Sequence, residues 1–283
     1  MFRDSLTHFL RPLLVALAAG SFSLVTSLRA PGQELKEFDA DYLESPPNGP
    51  ELTQVEKELL RLTNEFRKQN GREALKPDKR LDTAAAYFAA FMARKDKYAH
   101  DADGNRPAER LALFGYDDCI SAENIAYQMN SAGFSTAKLA NGFFEGWKNS
   151  PPHRENMLDP DLTEVGVAIG HAPESDRYYA VQNFGRPKSA SINFQVANQT
   201  TETLRYTVTG TSRGKPVDKS LELPPKATMY HARCRAATID WGWTKEDENV
   251  TVDGKQDFVI TKAGESYKAT PRTRSLDDAS KIK

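Results

Sequence analysis

Apolar residues along this chain recur mostly at helical spacing up to about residue 150 and at alternating spacing after residue 163, and that switch restricts the fold more than any other feature. Leu52, Val55, Leu59, Leu62 and Phe66 recur at helical intervals until Gly71, with Thr53 and Glu56 placed as a T-x-x-E capping pair at the start. A second helix is expected from Lys79 to Lys95, burying Leu81, Ala84, Ala85, Phe88 and Met92. A short third one crosses RPAERLALFG, with Pro107 near its start. A fourth runs from Thr136 to about Trp147, burying Ala137, Ala140, Phe144 and Trp147, and Pro151 with Pro152 is expected to end it. The stretches CISAENIAY (119–127), TEVGVAIG (163–170) and RYYAVQNFG (177–185) alternate as strands. Residues 51–187 therefore read as an α+β domain in which helices flank a small antiparallel sheet.

After Pro187 the helical spacing is gone. Short alternating runs, from SINFQVA through LRYTVTG, LELPP, TMYHARC, TIDWGW and VTVDG to DFVITKA, predict a small all-β sandwich of about seven strands over residues 188–270. Residues 271–283 are polar and read as a disordered tail; residues 30–50, acidic and broken by prolines, read as a linker. Residues 1–29 set Arg3 and Arg11 ahead of an apolar stretch, the layout of an export signal. Cleavage and retention as a membrane anchor are both open, and either leaves the mature chain extracellular or periplasmic. Lys and Arg number 38 against 39 Asp and Glu, a net charge of -1, and no basic face interleaved with aromatics appears, so nucleic acid is not an expected partner. The two cysteines, Cys119 and Cys234, suit either one bridge in an oxidising compartment or two buried thiols.

Of five histidines, His8 lies in the export segment, and His171 and His231 have no acidic or sulfur ligand pattern beside them. His100 follows the second helix in KDKYAHDADG, and His153 follows the proline pair in SPPHRENML. Glu123 sits among apolar neighbours in SAENIAY, where an unpartnered acid is costly to bury. Such a His-His-Glu set can hold a divalent cation such as zinc with one open position, hold a polar ligand without metal, or simply satisfy its own polar groups. Ser150 lies near His153, which invites a Ser150–His153–Glu123 triad, but the chain has no G-x-S-x-G or H-E-x-x-H, and the serine equally caps the turn before the prolines. Trp241 and Trp243 share one face of an expected strand, as a stacking platform or as core. NQT at 198 and NVT at 249 have the form of glycosylation acceptors that arise by chance.

YAHDADG, AENIAY, GWKNSPPHRENML, EVGVAIG and YAVQNFG, in this order, resemble the CAP superfamily (cysteine-rich secretory, antigen 5 and pathogenesis-related proteins) in its bacterial secreted form, over about residues 53–186. The resemblance implies an α-β-α sandwich with a central cavity lined by two histidines and two acids, reported in various members to take a divalent cation such as zinc. By motif, His100 is the first cavity histidine, Glu123 the acid of the G-E-N block, here with Ala122 in place of the glycine, and His153 the second histidine. Eukaryotic members carry the second acid three residues after the helix tryptophan, where this chain has Ser150; Glu145 lies about 200° round the helix from Trp147 and does not replace it. A three-ligand site of His100, Glu123 and His153 is what remains. The function so implied is an exported, non-catalytic module that binds a lipid, sterol-like or other extracellular ligand, or a protein partner, with membrane association through the N-terminal segment. The competing expectation is a metal-dependent hydrolase of an extracellular ester, peptide or glycan, in which His100 and His153 hold a zinc-bound water and Glu123 is third ligand or general base.

Overall fold

The computed structural model describes residues 40–212, 215–243 and 249–272. The export segment, the first part of the linker and the tail beyond Arg272 lie outside the described residues. The first half contains helix α1 (Leu52–Gln69), a short strand β1 (Lys76–Pro77), α2 (Lys79–Lys95), α3 (Pro107–Leu113), β2 (Asp118–Met129), α4 (Thr136–Asn149), α5 (Pro151–Leu158), β3 (Glu164–Ala172) and β4 (Arg177–Pro187). The four strands lie in the order β1-β3-β4-β2, β1 parallel to β3 and the rest antiparallel. One face carries α1, α4 and α5 over Val167, Ala180 and Phe184; the other carries α2 over Ile125, Ala168, Tyr179 and Val181. This is an α-β-α sandwich, and β2 is one of its edges.

Close approach explains part of the sequence. In EVGVAIG a methyl group on Gly166 would lie 2.1 Å from the Leu81 carbonyl carbon, and one on Gly170 2.5 Å from the Ala89 oxygen. The glycines let α2 lie directly on β3. Asp78 starts α2 by accepting from the backbone N–H groups of Arg80 and Leu81.

Three local expectations change. Thr53 and Glu56 do not form a cap: α1 starts at Leu52, and Glu56 Oε1 instead accepts from Ile169 N across the core at 3.1 Å. Helix α4 buries Leu139 and Phe143 with Ala140, Phe144 and Trp147, whereas Ala137 is exposed, because the face is set by packing on α1. Pro151 and Pro152 do end α4, but they also open α5, since proline's fixed φ and missing N–H suit the first turn of a helix. Of the linker, Tyr42 and Leu43 pack against the α2 cluster.

The second half contains β5 (Ile192–Asn198), β6 (Leu204–Ser212), β7 (Lys215–Leu223), β8 (Thr228–Arg233), β9 (Ala237–Asp240), β10 (Val250–Val252), β11 (Asp257–Ala263) and β12 (Ser266–Arg272). Two sheets, β10-β9-β6-β7 and β12-β11-β5-β8, close over Phe194, Val196, Tyr206, Val208, Ile239, Trp241 and Phe258, an all-β sandwich. Eight strands are described where about seven were expected; β12, which reaches past Thr270 to Arg272, is the addition. Trp241 and Trp243 follow β9 rather than lying on it; Trp241 is buried in the core and Trp243, partly buried, packs against it. Asn198 is buried, its amide donating to the carbonyls of Glu202, Leu223 and Pro224, so the folded chain cannot present NQT for glycosylation. Cys119 and Cys234 are bridged, joining β2 to the β8–β9 connection.

Candidate functional site

Strand alternation sends Glu123 and Ile125 to the α2 side of the sheet and Asn124 and Ala126 to the α4 side. Because β2 is an edge, side chains from both layers meet around it. Helix α2 ends at Lys95, where Asp96 takes a left-handed conformation (φ 46°), and the chain turns back through His100 toward α3. There His100 Nδ1 lies 2.8 Å from Glu123 Oε1. The histidine side chain is half exposed and the carboxylate 1% exposed.

Behind this pair lies Arg110, a residue of α3 whose side chain is completely buried. Its guanidinium is 3.4 Å from Glu123 Oε2 and 3.5 Å from Asp103 Oδ1, donates to the His100 carbonyl at 2.6 Å, and stacks over the Phe88 ring. Burial pulls its pKa down, and the charges of Glu123 and Asp103 push it back up. Asn183, with its amide turned so that nitrogen faces the carboxylate, donates to Glu123 Oε2 at 3.2 Å and accepts from Ala85 N at 3.2 Å. Glu123 is thus shared among an imidazole, a guanidinium and an amide.

On the other side of the edge, α5 holds His153 half-buried, and its pKa is lowered by that burial first and by the neighbouring charge of His100 second. Helix α5 is laced to β2: Asn124 Nδ2 donates to the His153 carbonyl at 3.2 Å, and Asn156 Nδ2 to Asn124 Oδ1 at 2.9 Å. The outward carbonyl of Ile125 accepts from both Trp147 Nε1 (3.2 Å) and the Tyr98 hydroxyl (3.1 Å). Edge-strand acceptors are met by side chains here rather than by another strand.

The family model for the cysteine-rich secretory protein family, CAP, matches residues 60–184. These residues are a CAP domain. The chain is 29% identical to the protein YkwD of Bacillus subtilis over 117 residues (41% of this chain, 42% of that one), and 30% identical to the membrane protein YlbC of the same organism over 133 residues (47% and 34%). It thus spans less than half the length of these curated relatives. A solved extracellular protein containing an SCP domain, from Bacillus anthracis, aligns at 26% identity over 48% of this chain and 41% of that one, with a TM-score of 0.40.

Within the CAP domain the structure brings His100 and Glu123 into contact and sets His153 close enough to feel the charge on His100. It does not gather the three as a cation site: among the described residues, no three His, Cys, Asp or Glu side chains form a group that could hold a metal ion. Glu123 is the reason. Its oxygens are taken by His100, Arg110 and Asn183, so it lies behind the histidine and orients it, as an outer-shell carboxylate would, instead of standing beside it as a ligand. Ser150 joins α4 to α5 and its hydroxyl makes no capping bond; its carbonyl accepts from Arg154 N. Since Glu123 meets His100 and not His153, a Ser150–His153–Glu123 triad is not assembled. Sequence reasoning missed Arg110, Asn183 and Asn156. Arg110 gave no distinguishing signal, since it stands beside Glu109 in PAERLAL as a solvated charge would.

Proposed function

We propose that this protein is an exported, non-catalytic binding module whose CAP domain offers the imidazoles of His100 and His153, at the β2 edge, to an extracellular ligand or partner. The observation that carries this reading is the state of Glu123. A buried carboxylate already neutralised by Arg110 and donated to by Asn183 is a poor general base and a poor ligand, but it holds His100 by Nδ1 and so leaves Nε2 as the nitrogen for a ligand, in the cleft that this reading puts between the two imidazoles. Zinc, the expected cation, finds two imidazoles here rather than three ligands, with its other positions left to water or to a bound group. The hydrolase reading needs a free base next to such a water, and nothing in the donor set favours it. Export is supported by the arginine-led apolar stretch at the start of the chain and by the Cys119–Cys234 bridge, a bond that persists in oxidising compartments. Among the described residues no helix is long and apolar enough to cross a membrane, so membrane association falls to the N-terminal segment. Lipids, sterol-like molecules and proteins remain the ligand classes to try.

Calorimetric titration of zinc into the tag-free mature protein, beside His100→Ala and His153→Ala, tests the site. One-to-one binding lost in both variants supports the two-imidazole cleft. Zinc-dependent turnover of an ester, peptide or glycan that disappears in Glu123→Gln overturns the non-catalytic reading.

A further inference from the structure

Cys234 and Arg235 are consecutive residues in the connection from β8 to β9, and each holds one of the two segments that carry the cleft. Cys234 is bonded to Cys119, at the start of β2, four residues before Glu123. Arg235 reaches the loop that follows α5, at most three residues beyond Leu158: its Nη2 is 2.8 Å and its Nη1 3.1 Å from the Asp159 carboxylate, and Nη1 also meets the Asp161 carboxylate. The three side chains are about a quarter exposed, so the pairing is better shielded than an ordinary surface ion pair. On the CAP side the same loop is gripped by Arg67, a fully buried residue of α1 that donates to the carbonyls of Met157, Asp159 and Leu162. Helix α5 buries only Met157, and its other ties include the Asn124 and Asn156 bonds to β2 and the Arg154 guanidinium over the Phe66 ring.

We infer that the Cys234–Arg235 connection is a clasp by which the β-sandwich positions α5 against β2, so that residues of the second domain, none of them in the cleft, set the placement of His153 relative to His100. The disulfide fixes the β2 side of the cleft, the Arg235 fork fixes the α5 side, and the Asn124–Asn156 bond lies between them. Arg235 is thus a positioning residue. Only the consequence for affinity rests on the two-imidazole reading; the mechanical part does not.

Hydrogen exchange read by mass spectrometry on the full mature chain tests it. In Arg235→Ala, amides of residues 151–162 should exchange about ten-fold faster while those of α1, α2 and β4 keep the wild-type rate. Asp159→Asn, which removes the two-nitrogen part of the same pairing from the CAP side and leaves the 3.7 Å Arg186–Asp161 pair in place, should reproduce the pattern; adding Asp161→Asn removes both, and Cys119→Ser with Cys234→Ser should extend it to the start of β2. Unchanged exchange over 151–162 in both Arg235→Ala and the Asp pair overturns the clasp, as does an equal acceleration everywhere, which marks a merely global loss of stability. Zinc affinity should fall about ten-fold in Arg235→Ala. Full affinity alongside faster exchange overturns the link to the cleft, whereas a wild-type protein that takes no zinc sinks the functional reading and leaves the exchange result standing.

Discussion

The two edges of the CAP sheet both meet carboxylates drawn out of water, half-buried at one edge and fully buried at the other, and they treat them differently. At the β3 edge, Glu56 from α1 and Asp82 from α2 accept from the backbone N–H groups of Ile169 and Val167, closing an edge that β1 covers for two residues only. Among the described residues no ion pair joins either acid to a cation. Burial therefore raises both, Glu56 to about 7. At the β2 edge Glu123 is buried more deeply still, but Arg110 lies behind it and His100 in front. An acid used to seal an edge can be protonated and still accept a hydrogen bond; an acid used to orient a histidine works as an anion. The guanidinium is what makes that role possible in a dry site.

Removing Arg110 should therefore give the largest effect in the CAP domain. Arg110→Met leaves the Glu123 carboxylate buried without that guanidinium and should cost about 3–5 kcal/mol in denaturant unfolding. Adding Glu123→Gln to that variant should recover part of the loss. If Arg110→Met costs under about 1 kcal/mol, the two edges do not differ in the way argued here.

A smaller effect, on the order of 3 kcal/mol, is expected from pH at the opposite edge. Glu56 has a folded pKa of about 7 against 4.5 for the free group, so the folded state holds the extra proton. Its contribution to stability is fully present below pH 4.5 and is lost as pH rises through 7. Glu56→Gln should match wild type near pH 4.5 and be the more stable protein at pH 8, the difference growing between those limits. The same burial acts with opposite sign on a base in the sandwich. His231 stacks on Phe194, bonds the Tyr206 hydroxyl at 2.7 Å, and is pulled down to about 4 by desolvation. Its contribution is present above pH 6.5 and lost as pH falls through 4, so His231→Gln should flatten the acid side of the stability profile where Glu56→Gln flattens the basic side. A wild-type and variant pair with parallel profiles would refute either assignment.

Much of this architecture can be read from periodicity. The loss of every α-helical run after Pro187 separates the two halves, and the five motif blocks carry His100, Glu123 and His153 to one sheet edge. What periodicity misses has physical reasons. Helix α5 has almost no apolar stripe and is made by its prolines; β12 is an exposed edge strand; Ala137 and Leu139 exchange roles because neighbours, not propensity, choose the buried face of α4. Arg110 is the costliest omission. A lone arginine in a short helix has the sequence signature of a solvated residue, and only the fold brings it under Glu123, 13 residues away. The expectation of a third metal ligand came from the motif, and it changed because the motif names an acid without naming what neutralises it.

The smallest effect should belong to Ser150, which stands where the resemblance to eukaryotic CAP members led to the expectation of a second cavity acid. A serine before a helix ordinarily contributes 0.5–2 kcal/mol through its hydroxyl. Here that hydroxyl makes no capping bond, Pro151 and Pro152 leave few N–H groups in the first turn to receive one, and the backbone carbonyl accepts from Arg154 N in any residue type. Ser150→Ala should therefore change unfolding by less than about 0.5 kcal/mol, and zinc titration should give the wild-type curve. Ser150→Asp is the sharper variant, because it puts a carboxylate at the position where the resemblance expects the second cavity acid. Tighter zinc binding by that variant alone would show that this cleft differs from an acid-bearing one by a single side chain; no change would mean that position 150 points away from the histidines and that the β2 edge takes its character from His100, His153 and the buried Arg110–Glu123 pair alone.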